Sequence, residues 1–338
     1  PGNKHFSWKK AVSLMGLGDE GFWPVALDEQ GRLSLEDLRA QMEKSIAEDR
    51  PVLMVVSVAG TTEMGEVDPV DQVQALLEEY RERGIDVWHH VDAAFGGYYR
   101  TMIADESLSG RLSSSVRAAL TALSKVDSIT LDPHKLGYVP YACGAFIARD
   151  GDHYRTRGFS AAYLKDDNQS RWSFTLEGSR SGAGVTAVWL ANKTLGLNAR
   201  GYGRLLEKGI EARERMHREF ARQVPDYLPV LPSDLNIICF SIAPAGSKLS
   251  ALNERTAKLF NHFEASPNFS VSKTILTKKS YKSLIERLAR ERDIELDCDE
   301  WMQLRLVLMN PFITSKESDV DLIGEFVSEL RGANSLMT

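Results

Sequence analysis

Cysteine is scarce in this sequence, and the few cysteines that it has lie far apart. The three are Cys143, Cys239 and Cys298. An odd number at these distances gives neither a disulfide framework nor the paired spacing of a zinc site. We therefore expect a protein of the reducing cytoplasm that binds no structural metal.

Long apolar runs and an excess of basic residues are also missing. No stretch of about 18 uninterrupted apolar residues is present and nothing resembles a signal peptide, which argues against a membrane protein. Lys and Arg together number 41 against 47 Asp and Glu, so the formal net charge is −6. Because the basic residues are not concentrated in any stretch, the sequence predicts no nucleic-acid partner.

An alternation of strand-like and helix-like segments fills the first 150 residues. A continuous apolar run at 52–58 is typical of a parallel strand buried on both faces, and the helix expected at 70–83 has its apolar residues on one side. A second strand follows at 85–94, and a helix near 113–124 leads to two further strands on either side of Lys135. This order predicts an α/β fold with a mainly parallel sheet flanked by helices, whose ligand lies at the carboxyl ends of the strands.

The pattern changes after residue 150, and the second half has its own organisation. Residues 151–182 are polar and irregular, which indicates a mobile loop or one that covers the substrate. Three prolines between residues 225 and 232 mark a joint. We therefore predict a large domain over residues 1–224 and a smaller C-terminal α+β domain over 225–338, with a last helix at 315–331. Because the chain enters at once on a helix-like pattern, we also expect an upstream part of the large domain to be missing from it.

Three strand ends carry the residues that suggest chemistry. Thr62 follows the first strand, Asp92 ends the second, and Lys135 follows the third within the stretch Asp-Pro-His-Lys. These points converge at one edge of a parallel sheet. A lysine amine can bond covalently to the aldehyde of pyridoxal phosphate, and a carboxylate paired with the ring nitrogen keeps that nitrogen protonated. The small Ala94 leaves room for a flat ring. The sequence therefore predicts a pyridoxal phosphate site.

Each of these residues taken singly has a simpler reading. An aspartate at a strand end is more often a turn or cap residue, and a lone loop lysine is usually exposed to solvent. The combination of Asp92 and Lys135, in this order and each on its own strand, favours the cofactor.

Several motifs also resemble a known family. They are HFSWKKA, VSVAGTTEMGEVDPV, HVDAAFGGYYR, DPHKLGYVPYACGAF and LEGSRSGAG. Together they resemble the group II amino-acid decarboxylases of the aspartate-aminotransferase fold, fold type I, with the greatest likeness to bacterial tyrosine decarboxylases. The resemblance is strong from His5 to about Gly209 and looser to about Phe312. It implies pyridoxal phosphate as cofactor, a homodimer with its site at the subunit interface, and decarboxylation of an L-amino acid, above all an aromatic one of the tyrosine or DOPA type.

The resemblance implies roles for individual residues. His5 would stack on the ring face opposite Ala94, and Thr62 would bond the oxygen next to the aldehyde or steady Asp92. His134 would contact the cofactor phosphate. The alternatives are that His5 is an exposed residue at a helix start, that Thr62 has only a local role in its turn, and that His134 orders its loop; for His5 and Thr62 the cofactor role is favoured.

Two further roles fall in the polar loop and just after it. Gly178, Ser179 and Arg180 would lie near the phosphate of the partner subunit, or else cap the helix that follows. The group that returns a proton to the substrate's α-carbon in this family is commonly a tyrosine on a mobile loop. Tyr163 is the only tyrosine between residues 158 and 176 and is the candidate, with a packing role as the alternative.

Other functions stay open from the sequence. A decarboxylase of an acidic amino acid, or a carbon–carbon lyase of the sphingosine-phosphate type, would use the same residues. A non-catalytic homologue is a third reading, against which the presence of both Lys135 and Asp92 argues. Family members carry a Gly-Ser-rich phosphate-binding turn upstream of the HFSW helix. No such turn precedes His5, so we expect the phosphate site of the numbered chain to be incomplete.

Overall fold

The computed structural model describes residues 1–151, 177–178, 180–314 and 319–336. Its α-helices are α1 (Ser7–Leu14), α2 (Leu35–Ala47), α3 (Val70–Glu82), α4 (Glu106–Ser109), α5 (Ser114–Ala122), α6 (Ala183–Leu195), α7 (Arg204–Gln223), α8 (Leu249–Ala265), α9 (Lys278–Arg292) and α10 (Leu322–Ser335). Its strands are β1 (Met54–Val58), β2 (Trp88–Asp92), β3 (Ser128–Leu131), β4 (Ala145–Ala148), β5 (Tyr227–Pro229), β6 (Ile237–Ile242), β7 (Ser272–Thr277) and β8 (Glu300–Val307).

A four-stranded sheet in the order β1-β2-β3-β4 forms the centre of the first part. The first three strands run parallel, and β4 is antiparallel to β3. The register places Val58 beside Asp92 and Asp92 beside Thr130. The carboxyl ends of three parallel strands therefore meet at one edge, and the predicted α/β fold with a mainly parallel sheet is confirmed.

Helices cover this sheet with the apolar sides that the sequence predicts. The buried residues of α3 recur every three or four positions, namely Val70, Val73, Leu76, Leu77 and Tyr80. α2 begins after Ser34, whose hydroxyl oxygen accepts a hydrogen bond from the backbone N–H of Asp37 at 3.2 Å. α2, α3 and the buried side chain of Val55 in β1 contribute to one hydrophobic core.

A second sheet in the order β5-β6-β8-β7 is antiparallel throughout. Every residue of β6 is buried, because helices pack on both faces of this sheet. One face meets α7, α8 and α10, and the other meets α9. The four strands all follow residue 225, where the smaller domain is predicted to begin; the boundary itself stays a prediction.

The two parts share packed side chains. In α7, Leu206 and Ile210 lie in the core of the first part, while Met216 and Phe220 lie in the core of the second. The core under α9 also contains Met64, from the loop after β1. The second sheet is therefore packed directly against the edge of the first sheet at which the strands end.

Three helices differ from the sequence predictions, because α10 begins later than predicted and neither α4 nor α9 was predicted. The last helix, predicted at 315–331, begins at Leu322, where the carboxylate of Asp321 caps it by accepting a hydrogen bond from Gly324 N–H at 3.0 Å. α9 was not predicted, although its buried residues have helical spacing, namely Tyr281, Leu284, Ile285, Leu288 and Ala289. Its charged residues obscure that pattern. In the part of the chain that the structure describes, no helix combines the length and apolar character needed to cross a membrane.

Candidate active site

One cavity of about 430 Å³ lies at the carboxyl edge of the first sheet. Five of the predicted site residues line it, namely His5, Thr62, Asp92, Ala94 and Lys135. They come from four separate segments of the chain: three lie at or after the ends of parallel strands, and the fourth, with His5, precedes α1. The volume lies within the range of roughly 300–1,000 Å³ that is typical of small-molecule sites.

Asp92 ends β2 and is almost fully buried, with 9% of its surface exposed. Its Oδ2 accepts a hydrogen bond from the indole N–H of Trp8 at 2.8 Å, and its Oδ1 accepts one from the backbone N–H of Ala94 at 3.3 Å. A buried carboxylate needs such donors, because it has lost most of its hydration. Each oxygen can accept two hydrogen bonds, so the carboxylate retains acceptor capacity for a ligand in the cavity.

Lys135 lies four residues after β3, in a turn closed by a hydrogen bond from its backbone N–H to the carbonyl of Asp132 at 3.0 Å. Its Nζ is 3.1 Å from the Oδ2 of Asp132, which also lines the cavity. The sequence reasoning missed Asp132, whose signal is its position three residues before the lysine in Asp-Pro-His-Lys. The pair places the amine at the cavity while leaving it accessible, because 31% of the lysine side chain is exposed.

His134 lies beside the cavity and is not part of its lining. Its Nδ1 contacts the carbonyl oxygen of Cys143, and its Nε2 is 3.6 Å from Asp132 Oδ2. The ring packs on Tyr141 with centroids 4.1 Å apart. These contacts join the two sides of the loop between β3 and β4, as expected of a residue that orders its loop. Its contact with a cofactor phosphate stays a prediction.

The loop after β1 contributes two threonines to the cavity lining, of which the first is buried and the second exposed. Thr61 is buried; its hydroxyl donates to the carboxylate of Glu66 and accepts from the backbone N–H groups of Gly65 and Glu66, each at 3.1 Å. Burial raises the pKa of Glu66 well above its ordinary value, and the hydrogen bond from Thr61 partly offsets this. Thr62 is exposed at the cavity, and among the described residues no hydrogen bond joins it to Asp92.

The remaining predicted residues are not brought to the cavity by the described part of the chain. Tyr163 and Ser179 lie outside the described residues. Gly178 and Arg180 are exposed and do not line the cavity, and the Nε of Arg180 is 3.9 Å from Glu177 Oε2. Their predicted place near a partner's phosphate stays a prediction.

Arg305 is a cavity residue that the sequence reasoning missed. It lies on β8 of the second sheet and reaches the loop after β1, where Nε donates to the carbonyl of Glu63 at 2.8 Å and Nη2 to that of Thr62 at 2.7 Å. Its Nη1 donates to Ser272 Oγ at 3.2 Å. Burial lowers the pKa of Arg305 from its high ordinary value. Of the described residues that line the cavity, Arg305 is the only arginine.

Apolar side chains complete the wall beside Arg305. They are Phe95 from the loop after β2 and, from the second sheet and its edges, Ile237, Val307 and Met309. These side chains give the cavity apolar lining in addition to the charged groups of Asp92 and Lys135.

An aromatic layer lies behind Asp92. The ring of His90 lies between Trp8 and Phe146, with centroid distances of 5.2 Å and 5.9 Å. Its Nδ1 is 2.7 Å from Ser128 Oγ and its Nε2 is 3.0 Å from Thr130 Oγ1. Burial lowers the pKa of His90 to about 4, against the opposing effect of Asp92, so the ring is neutral at physiological pH.

A larger and more open cavity of about 740 Å³ lies beside α7, where Arg213, His217 and Tyr227 contribute to its lining. None of the predicted site residues borders it, and it offers no lysine among the described residues. Within the same described ranges, no group of three or more His, Cys, Asp or Glu side chains is arranged to hold a metal ion. The smaller cavity therefore remains the candidate site.

Residues 2–243 match the family described as "Pyridoxal-dependent decarboxylase conserved domain". The chain is 31% identical to L-tyrosine decarboxylase of Enterococcus faecium over 363 aligned positions, which cover 93% of this chain and 58% of that protein. It is 33% identical to L-tyrosine decarboxylase of Levilactobacillus brevis, over 73% of this chain and 45% of that protein. It is also 28% identical to aspartate 1-decarboxylase of Aliivibrio fischeri, over 93% of this chain and 53% of that protein. The chain spans about half the length of these curated relatives.

Solved structures share the fold at low sequence identity. The structure of Oryza sativa TDC with PLP and tryptamine superposes with a TM-score of 0.75 at 17% identity, over 99% of this chain and 62% of that one. Mouse CSAD in apo form superposes with a TM-score of 0.74 at 19% identity, over 98% of this chain and 62% of that one. At this level of identity the likeness concerns the fold alone.

Proposed function

Because this chain belongs to the pyridoxal-dependent decarboxylase family, we propose that it releases the carboxyl group of an L-amino acid as CO₂, using pyridoxal phosphate in the cavity that Asp92 and Lys135 share. One observation carries the proposal. The only lysine among the described cavity residues and a buried carboxylate line the same cavity at the ends of neighbouring strands. A solvated loop lysine and a simple turn aspartate would have no reason to meet there.

The residues present fit the cofactor. Lys135 offers an accessible amine, and Asp92 is a buried carboxylate with acceptor capacity left after its two hydrogen bonds. Ala94 lies at the wall and has only a methyl group, so a flat ring can approach the backbone. When bound, pyridoxal phosphate supplies an aldehyde that a lysine can bond and a ring that accepts electrons. We propose that Lys135 holds the aldehyde, Asp92 the ring nitrogen and His5 one ring face.

The other groups of the cavity would orient the substrate. We propose that Arg305 binds the substrate carboxylate, since its guanidinium borders the cavity and carries more N–H donors than its three bonds use. Asp132 would keep the amine of Lys135 at the cavity while the substrate enters. The apolar wall would exclude water from the bond that breaks. Orientation of the carboxylate selects decarboxylation among the reactions that this cofactor supports.

The wall also favours an aromatic substrate over an acidic one. Phe95, Ile237, Val307 and Met309 offer apolar contact to a ring such as that of tyrosine or DOPA. A second carboxylate would need a cation besides Arg305 and Lys135, and the described lining offers no further lysine or arginine. Decarboxylation of glutamate or aspartate is therefore the second candidate, and the 28% identity to an aspartate 1-decarboxylase is the observation in its favour.

Further roles follow from the resemblance rather than from geometry. We propose Tyr163 as the group that returns a proton to the α-carbon and His134 as a contact to the cofactor's phosphate. Thr62 would bond the oxygen next to the aldehyde, and Ser179 would lie near the phosphate of the cofactor in the partner subunit. These assignments rest on the matching motifs.

A homodimer is the proposed assembly. α6 is 13 residues long and buries none of them, and it exposes Val185, Trp189 and Leu190 by 58–74%. Such a contiguous apolar face is typical of a protein–protein contact. A second copy of the chain would cover it and complete the site. We also propose a cytoplasmic location, with which the three free thiols agree.

The test is a substrate panel. The protein is incubated with pyridoxal phosphate and with tyrosine, DOPA, tryptophan, glutamate or aspartate, and CO₂ and the amine products are measured, with Lys135→Ala as the control. The proposal predicts CO₂ and amine from an aromatic substrate and none from the variant. Release of CO₂ only from glutamate or aspartate would show instead that the substrate is an acidic amino acid. Cleavage products without CO₂ would point to a lyase, and cofactor binding without turnover to a non-catalytic homologue.

A further inference from the structure

The hydrogen bond between Trp8 and Asp92 joins a surface helix to the candidate site. α1 buries none of its residues, yet its Trp8 is partly buried, lines the cavity and places Nε1 at 2.8 Å from Asp92 Oδ2. This is the only side-chain donor to Asp92 among the described hydrogen bonds. A neutral packing role for the indole would not require its N–H to be aimed at the carboxylate.

The bond restrains the rotation of the carboxylate. The other described donor, the backbone N–H of Ala94, is longer at 3.3 Å and comes from only two residues away in the chain. Hydrogen bonds to a carboxylate are strongest when they are short, so the 2.8 Å bond from Trp8 contributes more to the orientation of the carboxylate than the 3.3 Å bond from Ala94. Without Trp8, the side chain of Asp92 would be held on one side only.

The indole is itself held in place. His90 packs against it with ring centroids 5.2 Å apart, and both ring nitrogens of His90 lie at hydrogen-bonding distance from hydroxyl groups of β3, those of Ser128 and Thr130. The β2–β3 pair therefore supports both the carboxylate and the ring that orients it. Trp8 of α1 and His90 and Asp92 of β2 are therefore joined by direct contacts.

We propose that Trp8 is a positioning residue for Asp92, whose indole N–H fixes the carboxylate at the cavity in the orientation that pairs with the cofactor's ring nitrogen. The inference rests on the proposed function, since it concerns the cofactor that Asp92 would hold. Trp8 would act on the cofactor only through the side chain of Asp92.

The test compares cofactor binding in variants that remove only the N–H. In Trp8→Phe, and in a protein with benzothienylalanine at position 8, which keeps the two-ring shape without the donor, we expect the dissociation constant for pyridoxal phosphate to rise about tenfold. We also expect the midpoint of the pH titration of the bound cofactor's absorbance to lie at a lower pH than in the wild type. The reason is that Asp92 would pair less firmly with the protonated ring nitrogen, which would then lose its proton more easily. Trp23→Phe is the matched control: Trp23 is also partly buried, and its indole donates to the backbone carbonyl of Glu20 at 3.1 Å, away from the cavity.

A double-mutant cycle separates positioning from packing. In an Asp92→Asn background, Trp8→Phe should change cofactor binding by less than about twofold, because its route of action is already lost. Full additivity of the two substitutions, or wild-type binding and spectra in the benzothienylalanine protein, would overturn the inference. If instead the wild type fails to bind the cofactor through Lys135, the proposed function fails and not the role of Trp8 alone.

Discussion

Replacement of Arg305 by methionine should weaken both the fold and the binding of substrate. Methionine keeps much of the apolar stem and removes the guanidinium, which bonds the carbonyls of Glu63 and Thr62 at 2.8 Å and 2.7 Å. A hydrogen bond from a charged donor contributes about 1.5–3 kcal/mol when it is shielded from water. The bond to Glu63 is partly buried and counts in full, whereas the bond to Thr62 is exposed and contributes less. We therefore expect the free energy of unfolding to fall by about 2–3 kcal/mol, measured as a shift of the urea midpoint.

The effect on catalysis is separated from the effect on stability by a matched variant. Arg213 also donates to backbone carbonyls, among them that of Leu235 at 2.9 Å, and burial likewise lowers its pKa, but it does not line the candidate site. Arg213→Met should lose stability to a similar degree with an unchanged KM. Arg305→Met should raise KM by about tenfold or more, because it removes the carboxylate partner. An Arg305→Met enzyme with the KM of Arg213→Met would refute the anchoring role, and an unchanged urea midpoint would refute the role in the loop.

Two pH-dependent effects follow from buried groups. Burial raises the pKa of Glu66, and the nearby carboxylates of Glu63 and Asp234 raise it further. The folded protein therefore keeps a proton on Glu66 at pH values above about 4.3, where the unfolded chain releases it. Glu66→Gln should therefore have a higher urea midpoint than the wild type at pH 7, and this advantage should fade towards pH 4.5; equal midpoints at pH 7 would contradict it. Burial lowers the pKa of His90 to about 4. As the pH falls from about 6.5 to about 4, His90 takes up a proton in the unfolded chain but not in the folded protein, so the wild type loses stability over this range. The stability difference between the wild type and His90→Gln should narrow over that range, and a constant difference would show that His90 is not buried in its neutral form.

The residues that could be predicted from the sequence are those fixed by strand ends. Asp92 ends a strand, and Thr62 and Lys135 follow strands, all of which are recognisable from apolar runs. Because the carboxyl ends of neighbouring parallel strands lie at one edge of the sheet, these residues come together at the cavity. The motif containing His5 could be placed only through the resemblance, because its helix packs at the cavity by tertiary contacts. For His134 the sequence left two roles open, and the contacts of its ring with Cys143 and Tyr141 agree with the ordering of its loop, while its contact with a cofactor phosphate stays a prediction.

The residues that were missed depend on contacts between distant segments. Trp8 lies 84 residues before its partner Asp92, and Arg305 lies 242 residues after Glu63. An arginine within an alternating strand looks like any solvated residue until the packing of the second sheet against the loop after β1 is known. Helix α9 was missed for a local reason, since its many charges masked an apolar spacing that was present.

The proposed site requires the amine of Lys135 to face the cavity that contains Asp92. The most direct measurement is reduction of the protein with borohydride after incubation with pyridoxal phosphate, followed by peptide mapping by mass spectrometry. We expect one stoichiometric pyridoxyl label, on the peptide that contains Lys135, and its loss in Lys135→Ala. A label spread over surface lysines, or one retained in Lys135→Ala, would contradict it.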